Sequence, residues 1–155
     1  MKAALVRGYT LIELLIAISI LALLASFAVP TYQLILSQLQ LTTAANQIAD
    51  LMRLQEQRTV TEQRTYGLTL TANATTVPYF LCTNIDCSIK TTLSYSLPSN
   101  IKISSSTFPN FDVLFTTAGS PDFSGTLILI DTTRGRHRNV MIKPSGAVED
   151  NSAEY

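Results

Sequence analysis

The chain has 155 residues, room for one globular domain with an anchoring segment. It is 46% hydrophobic and only 14% charged, against about 25% charged in an average soluble domain. Eleven basic residues balance eleven acidic ones, so net charge favours no polyanionic partner and any such case rests on local clusters. Two cysteines exclude a disulfide framework, and with one histidine they offer at most three soft ligands, short of a structural zinc site. No metal and no cofactor are expected.

The N-terminus comes first and carries the strongest pattern. Residues 1–8 hold Lys2 and Arg7 and no acid. Tyr9 to Val29, YTLIELLIAISILALLASFAV, is twenty-one residues long with one charge, Glu13. As a helix it would span roughly 30 Å, the hydrocarbon thickness of a bilayer. The basic residues ahead of it predict a cytoplasmic start and a C-terminal bulk outside the inner membrane. A secretory signal peptide would have a shorter apolar core, although Ser26-Phe27-Ala28 weakly supplies its cleavage pattern. A plain membrane anchor leaves Glu13 unexplained, since a carboxylate in a membrane helix costs about 2.5–3.5 kcal/mol on insertion scales.

The run RGYTLIELLIAISILALLASFAVPTY resembles the type IV prepilin signature. The resemblance implies cleavage by a prepilin peptidase after Gly8 and N-methylation of the new first residue, Tyr9, where the family usually has Phe. It implies that Glu13 is the acidic residue that serves filament assembly. Its carboxylate would neutralise the free amine of a neighbouring subunit, which removes the cost of two isolated charges in an apolar bundle. Small residues Ala17, Ser19, Ala22, Ala25, Ser26 and Ala28 permit close helix contact.

Pro30 removes a backbone donor and is expected to bend the helix rather than end it. Residues 31–64 contain no Gly or Pro. Leu34, Leu41, Ala44, Ala45, Ile48, Leu51, Met52 and Gln55 recur at three- and four-residue steps, one apolar stripe on a helix. Gln38, Asn46, Asp50, Arg53 and Glu56 form the opposite face. β-Branched residues from Thr59 to Thr65 predict fraying there.

From Tyr66 on, short apolar runs alternate with turn residues, which predicts strands over 66–71, 77–81, 93–97, 101–104, 113–115, 126–131, 138–142 and 147–149. Leu93, Tyr95 and Leu97 alternate, as do Ile101 and Ile103. The unbroken run Leu127 to Ile130 reads as a strand buried on both faces. Pro144-Ser145-Gly146 reads as a tight turn, and 150–155 as a loose tail. The expected class is α+β, a type IV pilin fold: a long N-terminal helix, transmembrane and then amphipathic, packed on a C-terminal antiparallel β-sheet head. The expected organisation is a leader over 1–8, a transmembrane and filament-core helix over 9–29, a periplasmic amphipathic helix over 30–65 and a β-rich head over 66–155. The segments FTTAG at 115–119, GTLILID at 125–131 and RNVMIKPSGAV at 138–148 resemble the C-terminal half of GspH/FimT-type minor pilins and pseudopilins.

Cys82 and Cys87 lie close enough for a small disulfide loop in an oxidising periplasm, against the alternative of two thiols facing apart. Arg134, Gly135, Arg136, His137, Arg138 and Lys143 put four fixed positive charges into ten residues without an acid. Guanidinium groups suit phosphates, through bidentate hydrogen bonds and counterion release. A solvated basic turn is the plainer reading. Gly135-Arg136-His137-Arg138 matches the GRxR motif of FimT-like minor pilins, which resemblance implies binding of double-stranded DNA in natural transformation by Gly135, Arg136 and Arg138; Arg134 and Lys143, from the charge cluster, are expected to help. The expected partners are other pilin subunits, the prepilin peptidase, the inner membrane before assembly, and DNA. The alternative is a GspH-like structural pseudopilin of a type II secretion system without a ligand. One His and no nucleophile–base pair argue against an enzyme.

Overall fold

The computed structural model describes residues 9–83 and 87–151. The expected leader with Gly8 lies outside the described residues. Two compact units divide the chain after Ser37.

In the first unit, Thr10 opens helix α1, Leu11–Glu62. The Thr10 N–H and hydroxyl both donate to Glu13 Oε2 at 2.9 Å, and the Glu13 N–H returns to Thr10 Oγ1 at 3.4 Å. This reciprocal cap satisfies amides that have no partner inside the helix. From Leu11 to Val29 every large apolar side chain is exposed, and the helix is long and apolar enough to cross a membrane. The polar side chains in this stretch are satisfied locally. Ser19 and Ser26 donate to the carbonyls of Leu15 and Ala22 at 2.7 and 2.9 Å, and Thr31 to that of Phe27 at 3.0 Å. Such back-bonding removes the cost of a bare hydroxyl in hydrocarbon. The helix assignment runs through Pro30.

The second unit begins with Gln38. Its part of α1 buries Leu41, Ala44, Ala45, Ile48, Ala49 and Met52. The alanines let the helix axis come close to the strands, and Ile48 and Met52 each contribute about 1.5–3 kcal/mol by burial. The expected fraying from Thr59 does not occur. Thr59 is fully buried and donates to the Gln55 carbonyl at 2.9 Å. The helix ends at Glu62, and Gln63 takes a left-handed turn, φ 53°, with its Nε2 on the Val60 carbonyl at 2.7 Å.

Among the described residues eight strands follow: β1 Tyr66–Thr69, β2 Thr76–Cys82, β3 Lys90–Ser96, β4 Ile101–Ser106, β5 Asp112–Phe115, β6 Gly125–Asp131, β7 His137–Ile142 and β8 Val148–Asn151. They form the expected antiparallel β head as two sheets, ordered β3-β2-β1-β5 (sheet A) and β4-β6-β7-β8 (sheet B). One core joins them to α1, with Leu68, Val77, Val113 and Phe115 from sheet A and Ile101, Ile103, Leu127, Leu129, Val140 and Ile142 from sheet B. Residues 150 and 151 belong to β8, not to a loose tail.

Three further expectations are corrected. Within the run Leu127 to Ile130 only Leu127 and Leu129 are fully buried, while Ile128 and Ile130 are half-buried, because they point to the face of sheet B away from the core. Leu93 is 59% exposed, because β3 is the edge strand of sheet A, although Tyr95 of the same strand donates its hydroxyl to Gln47 Oε1 of α1. Glu56 is half-buried rather than solvated. Its Oε1 would lie 2.9 Å from a Cβ at Gly146, in the Lys143–Gly146 turn, and burial pushes its carboxyl pKa up. Cys82 and Cys87 are joined in a disulfide, with 4.7 Å between their Cα atoms.

Candidate nucleic-acid interface

The arginine-rich segment connects β6 to β7. These strands pair from Gly125↔Ile142 to Ile130↔His137, which fixes where the connecting loop starts. The Asp131 N–H donates to the Arg136 carbonyl at 2.9 Å and closes the loop. The Asp131 carbonyl accepts from Arg134 N at 3.3 Å and Gly135 N at 2.8 Å, and Asp131 Oδ1 accepts from Thr133 N at 2.9 Å. Thr132 donates both its N–H and its hydroxyl to the Asn100 carbonyl, at 2.9 and 3.1 Å. Every amide from Thr132 to Gly135 therefore has a partner within the protein. Gly135 sits at φ +69°, where a Cβ is strained, although a Cβ there would meet nothing within 4 Å. The glycine serves the turn and leaves open space beside it.

Arg134 is exposed, Arg136 and Arg138 are half-buried. Arg138 shares its face of β7 with the buried Val140 and Ile142, at the open end of the core. Its Nη1 donates to Thr42 Oγ1 of α1 at 2.9 Å, and Arg136 Nη1 lies 3.4 Å from Gln38 Oε1. The three arginines thus gather at one end of the hairpin, two of them leaning on α1. Arg138 belongs to β7 itself, so it stands beside the tip rather than on it.

Lys143 is elsewhere. It follows the far end of β7, five residues from Arg138 or about 17 Å of extended chain, and its ammonium pairs with Glu149. Closeness in sequence does not survive here because a strand stretches it out. The register brings in a cation that local sequence does not reveal. Lys102 of β4 pairs with Ile130, which pairs with His137, so all three share the outer face of sheet B. Two strand spacings put Lys102 about 10 Å from His137. The alternation Ile101-Lys102-Ile103 shows which way Lys102 faces, but only the β4–β6 pairing shows what it stands beside.

The arrangement can neutralise phosphates with guanidinium and ammonium groups. The amides of Thr132 to Gly135 are consumed and cannot cradle one, and the segment presents strands and a turn rather than a helix to base edges. Among the described residues no three of His, Cys, Asp and Glu come together to hold a metal ion. At the other end of the chain Tyr9 is 90% exposed, and Glu13 is held by Thr10 as described.

Residues 4–29 match the model of the prokaryotic N-terminal methylation motif. Among solved structures, the chain is similar to the minor pseudopilin EpsH of the type 2 secretion system of Vibrio cholerae. The TM-score is 0.61 at 9% identity, covering 72% of this chain and 96% of that one. It is likewise similar to the type IV minor pilin FimU of Pseudomonas aeruginosa, with a TM-score of 0.59 at 14% identity over 76% and 94% of the two chains. The chain carries a prepilin-type methylation motif and has a type IV pilin-like fold. No curated protein sequence matches it. For this pilin-like chain the motif implies processing by a prepilin peptidase and assembly with other pilins, and the apolar start of α1 is consistent with an inner-membrane anchor before assembly. The fold is shared by pilins and pseudopilins alike.

Proposed function

We propose that the chain is a minor pilin that captures double-stranded DNA, without reading its sequence, for uptake in natural transformation. Its head faces the periplasm before assembly and the cell exterior afterwards. The observation that carries this reading is the gathering of Arg134, Arg136 and Arg138 at one end of the β6–β7 hairpin, with Lys102 and His137 on the adjoining face. The Gly135-Arg136-His137-Arg138 run, with its likeness to the FimT-type motif, supports it. Lys143 is not part of this site. The second reading, a structural pseudopilin without a ligand, is favoured by the likeness to EpsH.

A gel-shift titration of the full chain in detergent micelles separates the two. The chain should bind unrelated duplexes alike, with affinity falling steeply as salt rises. Joint replacement Arg134→Gln and Arg136→Gln should flatten the log–log salt slope by about 0.9 for each phosphate that is no longer neutralised. These two are the cleaner pair, because Arg138 also bonds to α1. Lys143→Gln should leave the slope unchanged. Retained binding by the double variant would refute the site. Absence of binding by the parent at low salt would leave the structural pseudopilin.

A further inference from the structure

Among the described residues two sheets present four edges, and three of them carry a device that discourages another strand. The edge β4 has a register shift between Ile103 and Ser105. The edge β5 is four residues long and its Phe115 is bridged by Pro121. The edge β8 is also four residues long and carries Glu149. Short edges, irregularities and charges are the usual protection. The edge β3, KTTLSYS, has seven residues, no proline, no acid and an unbroken register with β2 from Cys82↔Lys90 to Thr76↔Ser96. Its single charge does not guard it. Lys90 lies back over sheet A, 2.8 Å from Asp112 Oδ2 and 4.1 Å above the Phe80 ring centroid.

The hydrogen-bond phase of β3 is fixed by its flanks. Thr83 N donates to the Ile89 carbonyl at 2.9 Å, and Leu97 N to the Thr75 carbonyl at 2.8 Å. Bonds to one neighbour recur at every second residue of an antiparallel strand. Thr91, Leu93 and Tyr95 therefore bond to β2, and the main-chain groups of Thr92 and Ser94 point away from the sheet. The side chains of Thr91, Leu93 and Tyr95 share the face that turns toward α1, through their partners Leu81, Tyr79 and Val77. Leu93 is nonetheless exposed, and beside it a pocket of about 180 Å³ is lined by Gln55, Arg58, Tyr66, Tyr79 and Leu93, among others. Gln55 is fully buried, and among the described residues neither its Nε2 nor its Oε1 has a hydrogen-bond partner.

We propose that β3 accepts an extended strand from a neighbouring pilin-like subunit, with one inward side chain of that strand entering the pocket beside Leu93 and Gln55. Three observations converge on an extended peptide. Among the described residues the backbone edge is open and in register, the apolar side chain beside it is exposed, and the pocket behind it is lined by Gln55, whose amide has no hydrogen-bond partner. An added strand lies about 4.8 Å beyond β3, so its inward side chains continue the Thr91–Leu93–Tyr95 row across the pocket mouth. A carboxamide or hydroxyl at that inward position is the complement of Gln55. The choice of a pilin-like neighbour rests on the assembly that the methylation motif implies, and is independent of DNA binding.

The test places p-benzoylphenylalanine at Leu93 in the full chain, expressed in a bacterium that builds its filaments, with irradiation and mapping of the joined peptides. The expected product joins Leu93 to one pilin-like subunit, at residues spaced by two. Ser94→Pro removes an outward N–H that β2 does not use, which an edge strand tolerates. It should lower the yield at least about fivefold, the factor for one main-chain hydrogen bond, with an unchanged melting temperature, while Ser94→Ala keeps the yield. In the unsubstituted protein the Thr92 and Ser94 amides should exchange more slowly in pili than in micelles, a readout that needs no variant. Linkage at three- or four-residue spacing, linkage to no pilin-like protein, a second copy of this chain joined β3 to β3, or equal amide exchange in both states would each overturn the proposal. A chain recovered in pili without the link refutes this inference alone, whereas a chain absent from pili refutes the assembly reading too.

Discussion

Gln55 gives a stability prediction that can be worked from its surroundings. The side chain is fully buried, and among the described residues both polar atoms of its amide lack partners. A buried polar group left unpaired costs about 1–3 kcal/mol. Leucine has nearly the same volume and no polar atoms, so Gln55→Leu removes that cost without opening a cavity. At about 4 °C per kcal/mol for a unit of this size, the melting temperature should rise by roughly 4–12 °C. The chain has six tyrosines and no tryptophan, so the natural probe is near-ultraviolet circular dichroism of the tyrosines, with the full chain in detergent micelles. Gln55→Glu should lower the melting temperature, because a charge at this position is desolvated. If Gln55→Leu left the melting temperature unchanged or lowered it, the amide would be satisfied within the isolated chain and the reasoning from its lack of partners would fail.

Three other outcomes are expected. Mass spectrometry of the mature chain should find N-methylated Tyr9, and Gly8→Val should block maturation; a mature start at Val29 would instead mark a signal peptide. Glu13→Gln should leave membrane insertion intact and reduce incorporation into filaments, since a charge leaves the bilayer but the neighbour's amine loses its partner; unchanged incorporation would refute the pairing role. Burial raises the Glu56 pKa in the folded state, so the folded form binds the proton more tightly and its stabilising contribution is lost as pH rises through the carboxylate range toward neutrality. Glu56→Gln should therefore be slightly stabilising at pH 7 and should remove that part of the pH dependence in melting curves, whereas an unaltered curve would show that Glu56 is solvated.

The helix and the strands were legible because each has a strong period of its own. Leu41, Ala44, Ala45, Ile48 and Met52 repeat at helical spacing, and they are the residues α1 buries. What did not follow from the sequence was pairing. Leu127 to Ile130 is apolar at every position, so its pattern cannot tell a strand covered on both faces from one covered on a single face. Only the burial along β6 shows that Leu127 and Leu129 face the core while Ile128 and Ile130 stay half-buried on the other side. Leu93 alternates properly with Tyr95 and yet stays exposed, because alternation fixes a face and not whether another element lies over it. Glu56 sits on the polar side of the helical wheel, where nothing foretells the turn at Gly146. The basic cluster shows the same limit in both directions. Lys143 is near the arginines in sequence and far from them in space, while Lys102 is far in sequence and reaches their neighbourhood through two strand pairings. The likeness at the N-terminus was specific because it was contiguous. Its Glu13 also caps its own helix, a local duty that the pattern of types alone did not disclose.

The internal bonding of the β6–β7 loop has a kinetic consequence. Thr132 to Gly135 spend all their amides on Asp131 and Asn100, so the backbone of this loop stays as it is whether or not a ligand is present. A duplex engaged here would be held only by the ends of long side chains, each of which can release one phosphate and take the next on its own. No loop would have to open or close between one foothold and another. Bound DNA would then creep along its own axis under a modest pull, exchanging one phosphate at a time, while a load applied across the axis would have to break every hold together.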